Sequence, residues 1–284
     1  MLKLILKGAV IGIANVIPGV SGGTMAVVMG IYDKLIHAIT HLKSEFKGAL
    51  KLLFPIIVGA ALGVVILTEV ITRALEHFPV QTNFMFIGLI VGGLPIIVRK
   101  LKETGEKVSV GNIIAMVIFF LVVVGFALLG EGSAADTRIT LSFAEIIKLF
   151  AIGIIASATM VIPGVSGSMV LMLLGYYYLI LDSISEWIHA LLAFDIPTLL
   201  AKTGILLPFG IGVLAGIGVI AKLIEIVFEK FPNYAYCGII GLIVASPFGI
   251  ILMSDFSKYN ITAVLTGLIT FAIGYFIAGK LGED

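Results

Sequence analysis

Charge is scarce in this sequence: 12% of its 284 residues are Asp, Glu, Lys or Arg, where a soluble domain carries about 25%. With a net charge of +1, the chain has no basic footprint for nucleic acid. The single cysteine, Cys237, excludes an intrachain disulfide and any multi-cysteine metal site; it reads as a small buried apolar residue. Four histidines, His37, His41, His77 and His189, read as surface positions near predicted interfaces, and no metal is expected. No Walker A string, no His-Glu-x-x-His and no paired aspartates within an apolar segment occur. What fills the chain is apolar sequence, 60% of residues at a mean hydropathy of +1.20. That composition predicts an all-α polytopic membrane protein. Met1-Leu-Lys-Leu-Ile-Leu-Lys7 is basic but precedes no small-residue cleavage site, so no removed signal peptide is expected.

One string occurs twice, as Val16-Ile-Pro-Gly-Val-Ser-Gly-Gly-Thr24 and Val161-Ile-Pro-Gly-Val-Ser-Gly-Ser-Met169, with seven consecutive identities at an offset of 145. Further matches lie at an offset of 153: Phe54-Pro55 with Leu207-Pro208, Glu76-His-Phe-Pro79 with Glu229-Lys-Phe-Pro232, and Gly88-Leu-Ile-Val91 with Gly241-Leu-Ile-Val244. The repeat covers 1–140 and 145–284, joined by the polar stretch Glu131 to Thr140.

A helix needs about 20 apolar residues to cross a bilayer. Three stretches per half qualify: 52–75, 81–98 and 111–130, then 203–226, 233–253 and 260–279. The motif regions, 4–36 and 149–181, differ. Proline ends the preceding helix and cannot donate to it, so each region is either a re-entrant hairpin or one broken spanning helix. Charge separates the two. With hairpins there are six spans, and thirteen of the 18 basic residues fall on the N-terminal side; with broken spanning helices the division is eight against ten. The positive-inside rule expects a bias, which favours hairpins. Three spans is an odd number, so the halves are expected to be inverted repeats, with both termini cytoplasmic. Paired backbone breaks in two halves are the sequence mark of a transporter site.

Ser21 and Ser166 are placed to cap helices starting at Gly22 and Gly167. Gly19, Gly22 and Gly23, with Gly164 and Gly167, let a ligand approach the backbone; Ser21, Thr24, Ser166 and Ser168 add hydroxyl donors. Helix starts of this kind favour anions such as phosphate or carboxylate, against the plainer reading of close packing by small residues. Asn15, facing Met160 in the repeat, is suited to a ligand or to the broken backbone. Glu69 and Arg73 lie one turn apart and could pair; Lys222 stands at the repeat position of Glu69, near Glu225. Arg73 and Lys222 are candidate countercharges at two entrances, and Glu69 a candidate proton carrier. Interfacial snorkelling is the alternative for both bases. Ser21 and Ser166 have no neighbouring base, so catalysis is not expected.

The stretch Gly12-Ile-Ala-Asn-Val-Ile-Pro-Gly-Val-Ser-Gly-Gly-Thr24 with Gly30-Ile-Tyr-Asp33, and Ile162-Pro-Gly-Val-Ser-Gly-Ser168 with Leu174-Gly-Tyr176, resembles the PopT-type polyprenyl-phosphate transporters over essentially the full length. The resemblance implies a flippase that returns undecaprenyl phosphate, or a related polyprenyl phosphate, from the outer to the inner leaflet of the bacterial cytoplasmic membrane. That lipid carrier serves peptidoglycan and other envelope polymers. The phosphate would sit between the motif tips and the tail in lipid. No cofactor is expected beyond a coupling proton or sodium ion; the partners are the lipid substrate, membrane lipids and room for a homo-oligomer. An ion-coupled carrier of a small soluble anion, and a membrane lipid-phosphate enzyme, stand as alternatives.

Overall fold

The computed structural model describes residues 1–15, 20–129, 142–252, 254, 257 and 259–282. Among these residues every regular element is helical: α1 (Leu2–Ala14), α2 (Gly22–Val28), α3 (Tyr32–Thr40), α4 (Phe46–Leu62), α5 (Thr68–His77), α6 (Pro79–Glu103), α7 (Val110–Leu129), α8 (Phe143–Val161), α9 (Gly167–Leu173), α10 (Tyr177–Ala193), α11 (Ile196–Lys230), α12 (Pro232–Leu252) and α13 (Ile261–Gly282). A π-helical turn, Gly63–Leu67, carries α4 into α5. Seven stretches, Phe46–Val65, α6, Val110–Leu128, α8, α11, α12 and α13, are long and apolar enough to span a bilayer. The chain is therefore an all-helical, multi-pass membrane protein.

Six of the seven overlap the expected spans, and the seventh is α8. The sequence reading began that arm of the hairpin 149–181 six residues later than the helix does. The extra turn is polar but self-satisfied: the Glu145 N–H donates to Ser142 Oγ (3.3 Å), and Lys148 Nζ lies 2.7 Å from Glu145 Oε1. At 1.5 Å per residue, α8's 19 residues reach about 29 Å. By the same rise α11, with 35 residues, runs about 52 Å, well beyond an apolar slab of about 30 Å.

The backbone keeps the register of the repeat. Ser21 and Ser166, both extended, precede seven-residue helices. Each short helix ends at a glycine in the left-handed region, Gly30 (φ 67°) and Gly175 (φ 78°), 145 residues apart. A β-carbon is strained there, so the two turns fix where α3 and α10 begin. Interhelical contacts repeat as well. A Cβ placed on Gly59 would meet the Ile5 carbonyl oxygen at 2.1 Å, and one on Gly212 would meet that of Phe150 at 2.1 Å. Gly8 against Ile56 has its counterpart in Gly153 against Phe209, each at 2.2 Å. Thus α1 lies parallel to α4, and α8 to α11, backbone against backbone. In lipid such seams are held by van der Waals packing, because apolar neighbours gain nothing by leaving lipid.

The chain divides into two compact units. The first comprises Met1–Leu128, Ile162–Val165 and Ala221–Asp284. In it Gly88 of α6 packs on Phe271 of α13, and Gly241 of α12 on Met116 of α7, each Cβ position 2.1 Å from a carbonyl oxygen. The closing helix of each half therefore covers the middle span of the other half. The second unit, Leu129–Val161 with Ser166–Ile220, is built on Leu149, Ile180 and Ile205, flanked by Tyr176 and Phe209. There Trp187 Nε1 donates to Thr203 Oγ1 (2.9 Å), and Lys202 pairs with Glu186 (3.1 Å).

Candidate functional site

The first break sets a buried row of small polar groups into apolar surroundings. Ser21, Gly22, Gly23 and Thr24 are all buried. Ser21 occupies the N-cap position as the spacing implies, but its hydroxyl makes no cap bond. Asn15 takes that role instead: its Oδ1 accepts the Gly22 N–H (3.1 Å), while its Nδ2 donates to the Ile11 carbonyl (3.1 Å). A Cβ on Gly22 would lie 2.6 Å from Asn15 Nδ2, so glycine is what lets Asn15 reach the helix start. Asn15 thus bonds the backbone on both sides of the break. Gly19 lies outside the described residues.

Thr24 is completely buried, and its Oγ1 accepts the Gly164 N–H at 2.7 Å. That bond spans 140 residues and joins the first helix start to the Pro-Gly turn of the second motif, within the first unit. Thr24 and Gly164, both candidates from the sequence, are directly bonded partners.

Ser166, Gly167 and Ser168 belong to the second unit. Ser166 also stands at an N-cap without a cap bond; its Oγ pairs with Ser168 Oγ at 2.9 Å. The neighbour of Gly167 is Thr159, whose Oγ1 lies 3.0 Å from the glycine's Cβ position and donates to the Ala156 carbonyl (2.7 Å). Both serine caps therefore depart from expectation for a local reason: another side chain, or the second serine, offers the better partner. Seven residues also build little macrodipole, so any attraction for an anion rests on local N–H and O–H donors.

The candidate charges are spread out. Arg73 is exposed on α5, and its carbonyl accepts from His77 Nδ1 (3.0 Å). The Glu69 side chain lies outside the described residues. Lys222 points at Glu225, with Nζ 2.5 Å from Oε2. The other oxygen, Oε1, accepts from Thr40 Oγ1 (2.8 Å) and lies 3.2 Å from His41 Nδ1 and 3.6 Å from His37 Nδ1. His37 is exposed and His41 half-buried, as the surface reading has them, but the two are a pair stacked at 4.1 Å against a buried carboxylate. Sequence reasoning missed this cluster, although the four-residue spacing of His37 and His41 on a helix was its available signal. It also missed Lys7, 1% exposed, whose Nζ donates to the Met29 carbonyl at 3.0 Å. In the sequence Lys7 is only one of the thirteen basic residues on the N-terminal side.

A model of the undecaprenyl phosphate translocase-like family matches residues 11–246. A protein of Staphylococcus aureus (strain NCTC 8325 / PS 47) named polyprenyl-phosphate transporter is 33% identical over 288 residues, 98% of this chain and 95% of that protein. One from Vibrio cholerae serotype O1 (strain ATCC 39315 / El Tor Inaba N16961), with the same name, is 26% identical over 200 residues, 66% of this chain and 61% of its own length. No solved structure matches. Matched across both Pro-Gly-Val-Ser-Gly strings and nearly end to end, the chain belongs to the undecaprenyl phosphate translocase-like family.

Proposed function

We propose that this protein carries undecaprenyl phosphate or a related polyprenyl phosphate across the bacterial cytoplasmic membrane, returning the lipid from the outer to the inner leaflet by alternating access. The observation that carries the reading is the near full-length similarity to a protein named polyprenyl-phosphate transporter. The buried hydroxyls and glycines at the first break supply head-group chemistry: Ser21, Gly22, Gly23 and Thr24, with Gly164 bonded to Thr24. Ser166, Gly167 and Ser168 supply the equivalent donors by the repeat, and Gly19 a close backbone approach. Arg73 and Lys222 act as countercharges on the way in, and Glu69 is the group for proton coupling. A tail too apolar for any aqueous cavity stays in lipid, so only the phosphate needs a polar path.

Re-entrant hairpins and inverted halves belong to the same proposal, and contacts within the first unit support them. Thr40 bonds Glu225, and Thr104 Oγ1 bonds Asn233 Oδ1 at 2.7 Å. With six spans, each pair falls on one side of the membrane; with eight, each would be split across it. The bond from Lys7 to the Met29 carbonyl likewise suits a segment that returns to its starting depth. Both termini are then cytoplasmic.

The test uses proteoliposomes holding a fluorescent polyprenyl phosphate. Losing two hydrogen bonds of about 1 kcal/mol each corresponds to roughly thirtyfold. Ser21→Ala combined with Ser166→Ala should slow lipid return by about that factor at unchanged helical content. Unchanged return would remove the serines from the site, and uptake of soluble phosphate without lipid movement would replace the substrate.

A further inference from the structure

We propose that His37, His41 and Glu225 form a binding site for a late first-row divalent cation, zinc above all, that ties α3 to the end of α11. The three donor atoms fall within 4.8 Å of one another. Tetrahedral zinc with bonds of about 2.0–2.1 Å sets its ligands about 3.3 Å apart; here the imidazole nitrogens stand 3.2 and 3.6 Å from one carboxylate oxygen. The histidines stand four positions apart, His37 in the last turn of α3 and His41 at its C-cap, and their rings stack at 4.1 Å and 23°. Two imidazoles and one carboxylate are a donor set that zinc accepts, leaving a fourth position for water.

The surroundings fit a cation. Glu225 is 7% exposed, which limits its competition with bulk water. Lys222 holds Oε2 at 2.5 Å and leaves Oε1 as the single metal oxygen, in the way a hydrogen-bonded partner orients a ligating carboxylate. Thr40 Oγ1 now donates to Oε1, but the Ile36 and His37 carbonyls lie at 3.1 and 3.0 Å from the same hydroxyl, so it has other acceptors when a metal takes that oxygen. Glu45 Oε2, 3.5 Å from His37 Nε2, adds a second negative charge. A cleft of about 260 Å³, lined in part by Asp33, His37, Glu225, Phe228 and Tyr236, gives water and ions a way in. The head-group residues around Ser21 and Thr24 take no part, and Lys222, shared with the transport reading, acts here only through its ion pair with Glu225.

The experiment uses the full chain in detergent, stripped with EDTA, desalted and titrated with zinc against a chromophoric chelator. The parent protein should hold one zinc per chain, as should His77→Ala and His189→Ala. His37→Ala, His41→Ala and Glu225→Gln should hold none in competition with the chelator. Elution volume and helical signal are recorded for each variant; if Glu225→Gln does not fold, His37→Gln and His41→Gln, at partly exposed positions, carry the comparison. A folded parent protein that holds no zinc overturns the proposal, and so does zinc retained by the histidine variants.

Discussion

At the scale of single residues, the costliest group on the first break is Lys7. A lysine ammonium buried in an apolar setting must be hydrogen-bonded, and Lys7 meets that need at the Met29 carbonyl, just where α2 ends. Lys7→Met keeps the volume and removes the donor. It should lower the stability of the detergent-solubilised protein by about 1–3 kcal/mol, read as a fall in Tm, whereas Lys3→Met, at an exposed position, should leave Tm unchanged. An equal response from the two would remove Lys7 from the fold's support. The sequence marked Lys7 only as a positive charge near one end, because a hydropathy window averages over the very neighbours that bury it. Ser21 and Ser166 were legible as helix starts for the opposite reason, since a Pro-Gly break followed by serine is a local signal. What a local signal cannot carry is the competing acceptor, Asn15, six residues upstream.

At the scale of elements, the glycines divide into seam and surface, and α11 carries both kinds. Gly212 sits against the Phe150 backbone, while a Cβ on Gly210 would meet nothing within 4 Å. Gly212→Val should therefore cost about 2–3 kcal/mol by overpacking against main chain that cannot yield. Gly210→Ala should be neutral or stabilising by up to about 1 kcal/mol. Thermal unfolding of the two variants decides it: similar Tm values would mean that α8 and α11 are not in backbone contact. Spans were readable as apolar runs; Pro79 and Pro232, which the sequence reading uses only as matched repeat positions, are the first residues of α6 and α12. The π turn Gly63–Leu67 was not readable. Its repeat counterpart, Gly216 to Ile220, passes through α11 as ordinary helix.

At the scale of the whole molecule, topology is the quantity to measure. In a Cys237→Ala background, cysteines placed at Lys43 and Lys230 should both react with a membrane-impermeant maleimide only in inside-out vesicles. A cysteine at His77 should react only from the outside of cells. Labelling of positions 43 and 230 from opposite faces would replace the hairpins with broken spanning helices. Composition alone made the membrane assignment, and the repeated string pointed to the buried row Ser21 to Thr24. The partner of Thr24 was out of reach, because a bond across 140 residues leaves no trace in either neighbourhood.

The exchange of closing helices sets an order on biogenesis. Gly88 finds its cover in Phe271, so α6 leaves the ribosome with its narrowest face bare. At about 5–20 residues per second, the 183 residues between these positions take roughly 9–37 s to synthesise. Throughout that interval the first half lacks the helix that covers Gly88. A truncation that removes only α13 would therefore be felt first at a helix made in the first third of translation.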